Sequence, residues 1–511
     1  MPAPAPAPTA TATAAPGPAG SSESLADGES GKGTATPAQQ IAAHLAQLQD
    51  ARQNNDRRGV ARVLHHLPAL RRALHAALLL ELCALPCVAG CLDGMDGVAQ
   101  ALQAQTATDA AQAGDTASAL AGVSAEQSVE RTAYALLLVA VLLLDRQQWA
   151  ASAHAAHRAV TLLLAPAQAS RTVHDALLAR CLFYLARAHE CGTGGSAPDA
   201  LHPVLMDALR LAALRHLVET EATAHNLVLR MHVLRSNDAG AAAFLAAAPF
   251  PQGATAPGNA QLARHHYYRA RVLAAQGEYA GAARDIEQAV RRAPLARAAH
   301  GFRLATARLR IVVQLLRGEV PELAAFAAAP AGLRAYRALS NTVRLGDLGQ
   351  FGAVRAAGQA RWDADGLAPL VARLHETVLR AGMRRLALAY AQISYADIAR
   401  KLGLASAADA AALVRQTLAE GIVAGEAVDE GPAGFFRSSA VRGRALFLTP
   451  APQDALNARA RALQGLHDDA VRAMRFPDMA RAPSDAPADD LVRPSDADLL
   501  DDFMDMEDEM F

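Results

Sequence analysis

YAQISYADIARKLGLASAADAAALVRQTLAEGIVAGEAVDE occupies Tyr390–Glu430, and its punctuation sets the fold of this stretch. Ser394 with Asp397 has the spacing of a capping box, and Ser406 with Asp409 repeats it, so two short helices start here. Ile398 and Leu402 line one face of the first helix; Val414, Leu418 and Ile422 line one face of the second at i, i+4 spacing. Gly403 and Gly421 suit the left-handed residue at the end of each helix. IVAGEAV and GFFRSS then read as two short strands around DEGP. Helix, turn, helix and hairpin give the outline of a winged helix, with Ile398, Leu402, Val414, Leu418 and Ile422 as its core.

Such a module can hold DNA or another protein, and charge separates the two. Phosphate contacts supply most non-specific DNA affinity and require several Lys or Arg. From Ser406 to Gly421 the only cation is Arg415, opposed by Asp409 and Glu420. Over the quoted stretch three basic residues face six acidic ones. Alanines fill the helix face where a base reader needs Asn, Gln or Arg. The hairpin carries Glu426, Asp429 and Glu430 where DNA-binding wings present cations. A winged-helix DNA binder is therefore the disfavoured alternative; no nucleic acid is expected, and the module should pack against protein.

The whole chain, 511 residues, is long enough for several domains and a large core. Its 49 basic and 50 acidic residues nearly cancel, so no global field draws it to nucleic acid or anionic lipid. Alanine inflates the 52% hydrophobic content while aromatics supply only 4%. Ala favours helix yet buries little surface, which makes the chain mainly α with faintly marked packing faces. The most apolar run, YALLLVAVLLL (Tyr134–Leu144), is shorter than the roughly 20 residues a bilayer needs, and reads as a buried helix. No membrane partner is expected. The opening residues lack the apolar segment of a secretory signal. Five cysteines, an odd number, give no disulfide framework. A reducing compartment, cytoplasm and nucleus, is the expected location.

Working outward, residues 1–40 form an Ala/Pro-rich tail expected to be disordered. A helical-repeat domain should fill 41–255, with a low-complexity loop at about 92–128. A second helical block should fill 256–388, the winged helix 389–450, a last helix 451–477 and an acidic disordered tail 478–511. In the second block, YYRARVLAAQGEYAGAARDIEQAVRRAP places Gly277, Tyr279, Ala282, Ile286, Ala289 and Pro294 at the spacing of half a tetratricopeptide repeat. Small Ala282 and Ala289 let two antiparallel helices approach, Tyr279 fills the gap, and Pro294 ends the second helix. LLLDRQQWAASAHAAHRAV repeats the idea loosely, with Trp149 in the tyrosine's place and Ala156 and Ala159 following. Stacked pairs of this kind make a solenoid whose curved surface binds proteins.

A helical-repeat block running straight into a winged helix resembles the PCI domain, shared by subunits of the proteasome lid, the signalosome and a translation initiation factor. Within that family the chain resembles the non-ATPase regulatory subunits of the 26S proteasome lid, the third-subunit group in particular. Besides the repeat just quoted, the resemblance rests on IVVQLLRGEVPEL (Ile311–Leu323), VRLGDLGQF (Val343–Phe351), WDADGLAPLVARLHETVLRAGMRRLALAYAQISYADIARKLGL (Trp362–Leu404) and AVRAMRFP (Ala470–Pro477). It implies a TPR-like solenoid capped by a winged helix and followed by a C-terminal helix. It also implies a non-catalytic structural and regulatory subunit supporting lid assembly and ubiquitin-dependent degradation. Its partners would be the other lid subunits and the small acidic lid protein. A signalosome or initiation-factor scaffold is the alternative within the same family.

In DALNARARALQGLHDDAVRAMRF, Leu456, Ala460, Leu463, His467, Ala470 and Met474 recur at alternating four- and three-residue steps. That seam suits either a helix bundle or a helix folded back on its own domain; the resemblance favours a bundle shared by lid subunits. The closing DLLDDFMDMEDEMF reads as a solvated tail, or as a docking motif of Phe503, Met504, Met506 and Phe511 set among carboxylates.

Candidates for chemistry fall away. Cys83, Cys87 and Cys91 are spaced four apart, but Pro86 breaks their helix and no fourth ligand has zinc-ribbon spacing. His154 and His157 lack the intervening Glu of a zinc protease. GESGKGT imitates a phosphate loop, yet Gly33 stands where Ser or Thr would hold magnesium. Catalytic, cofactor and metal sites are each expected to be none.

Overall fold

A computed structural model describes residues 36–88, 91–92, 95–109, 126–165, 173–193, 200–251, 257–294, 299–327, 329, 331–428, 434–439 and 450–475. Helices follow one another through most of it. α1 (Pro37–Asn54), α2 (Arg57–His65), α3 (Leu67–Arg71), α4 (Ala76–Ala84) and α5 (Asp96–Asp109) come first. α6 (Val129–Asp145), α7 (Trp149–Leu164), α8 (Asp175–Gly192), α9 (Leu201–Arg215), α10 (Val218–Leu234) and α11 (Asp238–Ala247) follow. α12 (Asn259–Gln276), α13 (Tyr279–Arg292), α14 (His300–Leu316), α15 (Arg334–Leu345), α16 (Leu348–Ala357) and α17 (Gln359–Ala364) lead to the long α18 (Ala368–Ala389). Sequence neighbours pack on one another, α6 on α7, α7 on α8, α9 on α10 and α12 on α13, as in a helical-repeat solenoid.

One turn is reused between helices. Asn55, Gln147, His216, Ser236, Gly277 and Gly318 all have positive φ. The next amide in each case donates back across the helix end: Gln148 N to Leu143 O at 2.8 Å, Leu217 N to Ala212 O at 3.0 Å, Glu278 N to Leu273 O at 2.9 Å. This Schellman closure satisfies orphan carbonyls and reverses the chain within a few residues. After Gly277, Tyr279 opens α13 half-buried, and Ala282, Ile286 and Ala289 are buried against α12; Pro294 stands just past the helix end, half-buried. Trp149 opens α7 after Gln147 in the same way, and Ser152, Ala156 and Ala159 are fully buried at the matching steps. The Ser152 hydroxyl donates to Ala140 O of α6 at 2.7 Å, so a polar residue fills a small-residue position without loss.

α6 is the deepest element, with Tyr134 to Leu144 wholly buried. Among the described residues no helix is long and apolar enough to cross a membrane. Buried polar groups pair between helices. Arg230 of α10 donates to both Glu190 carboxylate oxygens of α8 (2.9 and 3.2 Å) and to the Tyr268 hydroxyl of α12 (3.1 Å). Asp175 of α8 accepts from the amides of Glu219 (3.1 Å) and Thr220 (2.8 Å), capping α10, whose own preceding residue Leu217 cannot.

Two boundaries differ from the sequence expectation. The first helix starts at Pro37 rather than Ile41. The patch expected to loop out at about 92–128 contains α5, because Val98 and Leu102, one turn apart, are buried where α5 packs on α4 and α7. Alanine and glutamine around them flatten the periodicity. The last helix is described as far as Arg475, and residues 476 and 477 lie outside the described residues. Residues 1–35 with GESGKGT, the remainder of the patch at 110–125, the DEGP turn and the 478–511 tail lie outside the described residues.

Several histidines are buried against rings. His265 stacks on Phe250 at 4.1 Å, His225 meets Phe244 at 4.8 Å, and the His44 ring nitrogen shares a 2.9 Å hydrogen bond with the Tyr134 hydroxyl. Burial first, then neighbouring cationic groups, pushes His265 down to about 3 and His44 down to about 4. The unfolded chain therefore takes up protons below the ordinary histidine range while the fold refuses them. This contribution is intact above about pH 6.5 and is lost progressively as pH falls from there towards 4. Thermal unfolding followed by circular dichroism is expected to show a midpoint that drops across pH 6.5 to 4, with a smaller drop for His265→Phe, which keeps the stack and cannot titrate. An equal drop in both proteins would remove His265 as a cause.

Candidate interaction surfaces: the winged module and the last helix

α18 is shared between two cores. Leu370, Val371, Leu374 and Val378 belong to the solenoid core, whereas Met383 and Leu386 belong to the core of the module that follows. That module is built from β1 (Gln392–Ser394), α19 (Tyr395–Leu402), α20 (Ala407–Ala419), β2 (Gly425–Val428) and β3 (Phe435–Ser438). Its sheet is antiparallel in the order β1-β3-β2.

The caps are formed by the expected serines. The Ser394 hydroxyl accepts from Asp397 N at 3.2 Å, and Ser406 accepts from Asp409 N at 3.1 Å. Gly403 and Gly421 both have positive φ. Ile398, Leu402 and Val414 are buried together with Phe436 and Ile393, while Leu418 and Ile422 are half-buried at the rim. The inward face of α20 turns on Ala410, Ala411, Val414 and Thr417 rather than on Leu418. Thr417 tolerates burial because its hydroxyl bonds back to Leu413 O (2.9 Å) and Val414 O (3.0 Å). β1, too short to announce itself in sequence, is placed by Ser438 N donating to Ala391 O (2.8 Å) and Tyr395 N donating to Gly434 O (3.1 Å). β1 pairs with β3 along one side and is an edge strand among the described residues.

The outer surfaces carry little positive charge. Ala408, Ala412 and Ala419 are exposed on α20 with Asp409, Arg415 and Gln416, and Glu420 is paired with Arg380 of α18 at 3.0 Å. On the outer row of the sheet Gln392, Arg437 and Glu426 are register partners, so the one cation there stands beside a carboxylate-bearing residue. Beside β1, a cleft of about 440 Å³ is lined by Tyr390, Ser394, Asp397, Arg400, Lys401 and Phe435, with Arg400 paired to Asp397. Next to it Leu388, at the end of α18, is 89% exposed. An exposed apolar residue beside a cleft is a common feature of surfaces that meet other proteins.

α21 (Ala451–Arg475) has its apolar residues in solvent: Leu456 is 64% exposed, Leu463 70% and Met474 74%; Ala470 is exposed as well. Leu466, outside the seam read from sequence, is equally bare at 72%.

The residues considered for chemistry lie in two places. Cys87 and Cys91 are buried and Cys83 is half-buried, all as free thiols. A hydrogen bond with Cys91 and then burial push Cys83 up, away from the thiolate. His154 and His157 line a second cleft of about 740 Å³ with His189 and Arg158. Among the described residues no group of three His, Cys, Asp or Glu side chains is placed to share a metal ion.

The junction of solenoid and winged module is unusually close. A Cβ on Gly346 would lie 2.4 Å from the Gly382 Cα and N, and one on Gly382 would lie 2.5 Å from Leu402 Cδ2 and 2.8 Å from Gly346 O. Arg385 donates to the Leu345 carbonyl at the same corner. In the sequence Gly346 stands within VRLGDLGQF, and nothing in that string signals its partner.

Comparison with known proteins places this geometry. A family profile described as PSMD3-like, N-terminal TPR repeats, matches residues 34–340, and a PCI domain profile matches 357–426. A third profile, for the C-terminal part of proteasome regulatory subunits, matches 446–510. A protein of Anopheles gambiae named "probable 26S proteasome non-ATPase regulatory subunit 3" is 32% identical over 459 residues, 89% of each chain. One of Dictyostelium discoideum named "26S proteasome non-ATPase regulatory subunit 3" is 32% identical over 367 residues, 70% of this chain and 69% of its own. One of Schizosaccharomyces pombe named "probable 26S proteasome regulatory subunit rpn3" is 33% identical over 275 residues, 53% and 54%.

Gly346→Ala should combine a left-handed backbone at φ 65° with a backbone overlap, costing about 2–4 kcal/mol. Gly403→Ala has similar φ, 71°, and open space, and should lose only about 1 kcal/mol. Denaturant unfolding of both variants checks this; equal losses would mean the corner is not a tight junction.

Proposed function

From the premise that the chain belongs to the family of the 26S proteasome non-ATPase regulatory subunit 3, we propose that it is a non-catalytic structural and regulatory subunit of the regulatory-particle lid. It supports lid assembly and ubiquitin-dependent protein degradation in cytoplasm and nucleus. The winged module docks on neighbouring lid subunits, and α21 joins their helices in a common bundle. The solenoid carries Arg in quantity for the small acidic lid protein, as in AVRRAPLARAAHGFRLATARLR.

The observation that supports this most is α21. An amphipathic helix with Leu456, Leu463, Leu466 and Met474 in solvent has its apolar seam uncovered by the described residues of its own chain. At roughly 25 cal/mol per Å², burying that seam in a bundle contributes several kcal/mol to association. Its exposure makes the fold-back reading the weaker of the two. The proteasome names of the relatives favour the lid over the signalosome or an initiation-factor complex.

Removing everything after Pro450 tests the proposal. The solenoid should stay folded, with unchanged helical circular dichroism apart from the lost helix, because α21 buries little of itself on the chain. Incorporation into the lid should be abolished, read by co-sedimentation with the purified particle. Truncated protein that co-sediments with intact lid would refute the role given to α21.

A further inference from the structure

Of the chain's 49 basic residues only two, Lys32 and Lys401, are lysines; the rest are arginines. The difference is chemical as well as compositional. A guanidinium stays protonated and is no acceptor for an activated carboxyl group, whereas the ε-amine of lysine is the usual acceptor for acetyl and ubiquitin. The whole described surface therefore offers a single side-chain amine for acylation, because Lys32 precedes the described residues.

Its position is informative. Lys401 is exposed on α19 and its Nζ lies 5.3 Å from the centroid of the Tyr390 ring. It lines the 440 Å³ cleft beside edge strand β1, with the exposed Leu388 next to Tyr390 on the chain. An exposed leucine, a partly exposed tyrosine and a strand with one side unpaired among the described residues form the part of the winged module that a neighbouring subunit would cover.

We propose that Lys401 is the ubiquitin acceptor of the unassembled chain, open to modification while the winged module is free and shielded once a neighbouring subunit docks. The proposal rests on the docking reading given above. The unprotonated Nζ attacks the carbonyl carbon of the ubiquitin C-terminal thioester. The new C–N bond forms as the C–S bond breaks, the thiolate leaves on the carrier enzyme, and the surplus proton on nitrogen passes to solvent. The product is an isopeptide at the cleft that blocks β1 sterically, so a marked chain cannot dock and a docked chain cannot be marked. Orphan copies are thereby distinguished from assembled ones at one residue.

The test uses the full chain carrying Lys32→Arg, both free and within purified lid. An amine-reactive acetyl N-hydroxysuccinimide ester is the probe, with peptide mass spectrometry reading acetylation of Lys401. At least tenfold slower labelling in the lid is expected; equal labelling in the two states would overturn the proposal while leaving docking intact. Failure of the chain to recover with any lid would instead overturn the docking reading. In parallel, ubiquitin conjugates formed on the free chain in a cell extract should map to Lys401 and vanish in Lys32→Arg/Lys401→Arg, which keeps a cation over Tyr390 and should still enter the lid. Conjugates that persist in the double variant would place the acceptor elsewhere and refute the assignment.

Discussion

Two glycines in contact hold the architecture in register. Gly346 ends α15 in a left-handed turn, and its backbone rests directly on Gly382 in the middle of α18. Any side chain at either position would push the two elements apart. Just beyond that contact α18 passes from the solenoid core into the winged module, and Leu402 of α19 closes on Gly382 beside Gly346. One continuous helix, pinned where it changes cores, fixes the direction in which the winged module points. The winged module therefore follows the solenoid directly, without an intervening linker.

Behind that corner, polar groups do much of the specifying that alanine cannot. An alanine-rich core offers little shape for one helix to recognise another. Buried pairs supply the missing register: Glu190 with Arg230 and Tyr268 across α8, α10 and α12, and Asp365 with Arg308 (2.7 Å) and the Tyr336 hydroxyl (2.6 Å) beneath Trp362. Removing one partner from such a group strands a buried charge at a cost of about 3–5 kcal/mol, so these pairs resist change more than the alanines around them. Among the described residues, what is left for the outside is an alanine-rich helix face on α20 with few charges, a strand edge at β1 and a bare seam on α21. Under the reading proposed above, these are the surfaces that meet other chains.

Much of this is legible in the string because capping serines, Gly277 and Gly403 mark helix ends whatever surrounds them. The winged outline and the repeat around Tyr279 come from such local signals. Other features depend on residues that carry no such mark. Gln147 and Ser236 make the same left-handed turn as Gly277 without a side chain that favours it, whereas Asn55 and His216 carry only a weak preference for it. α5 is hidden because two buried apolar residues sit in a run of Ala and Gln. β1 is three residues long and exists only because β3 pairs with it. Thr417 reads as polar, yet its hydroxyl is satisfied within its own helix. The Gly346–Gly382 contact joins residues far apart in sequence, and pairwise proximity of that kind is not written in either neighbourhood.

That the exposed seam of α21 and the edge at β1 are assembly surfaces is tested most directly by hydrogen–deuterium exchange of the full chain, free and inside purified lid. Amides of α21 and β1 should exchange quickly in the free protein and become strongly protected in the particle, while α6 and α18 stay slow in both. Unchanged exchange of α21 on incorporation would contradict its place in a shared bundle and leave the winged module as the sole contact.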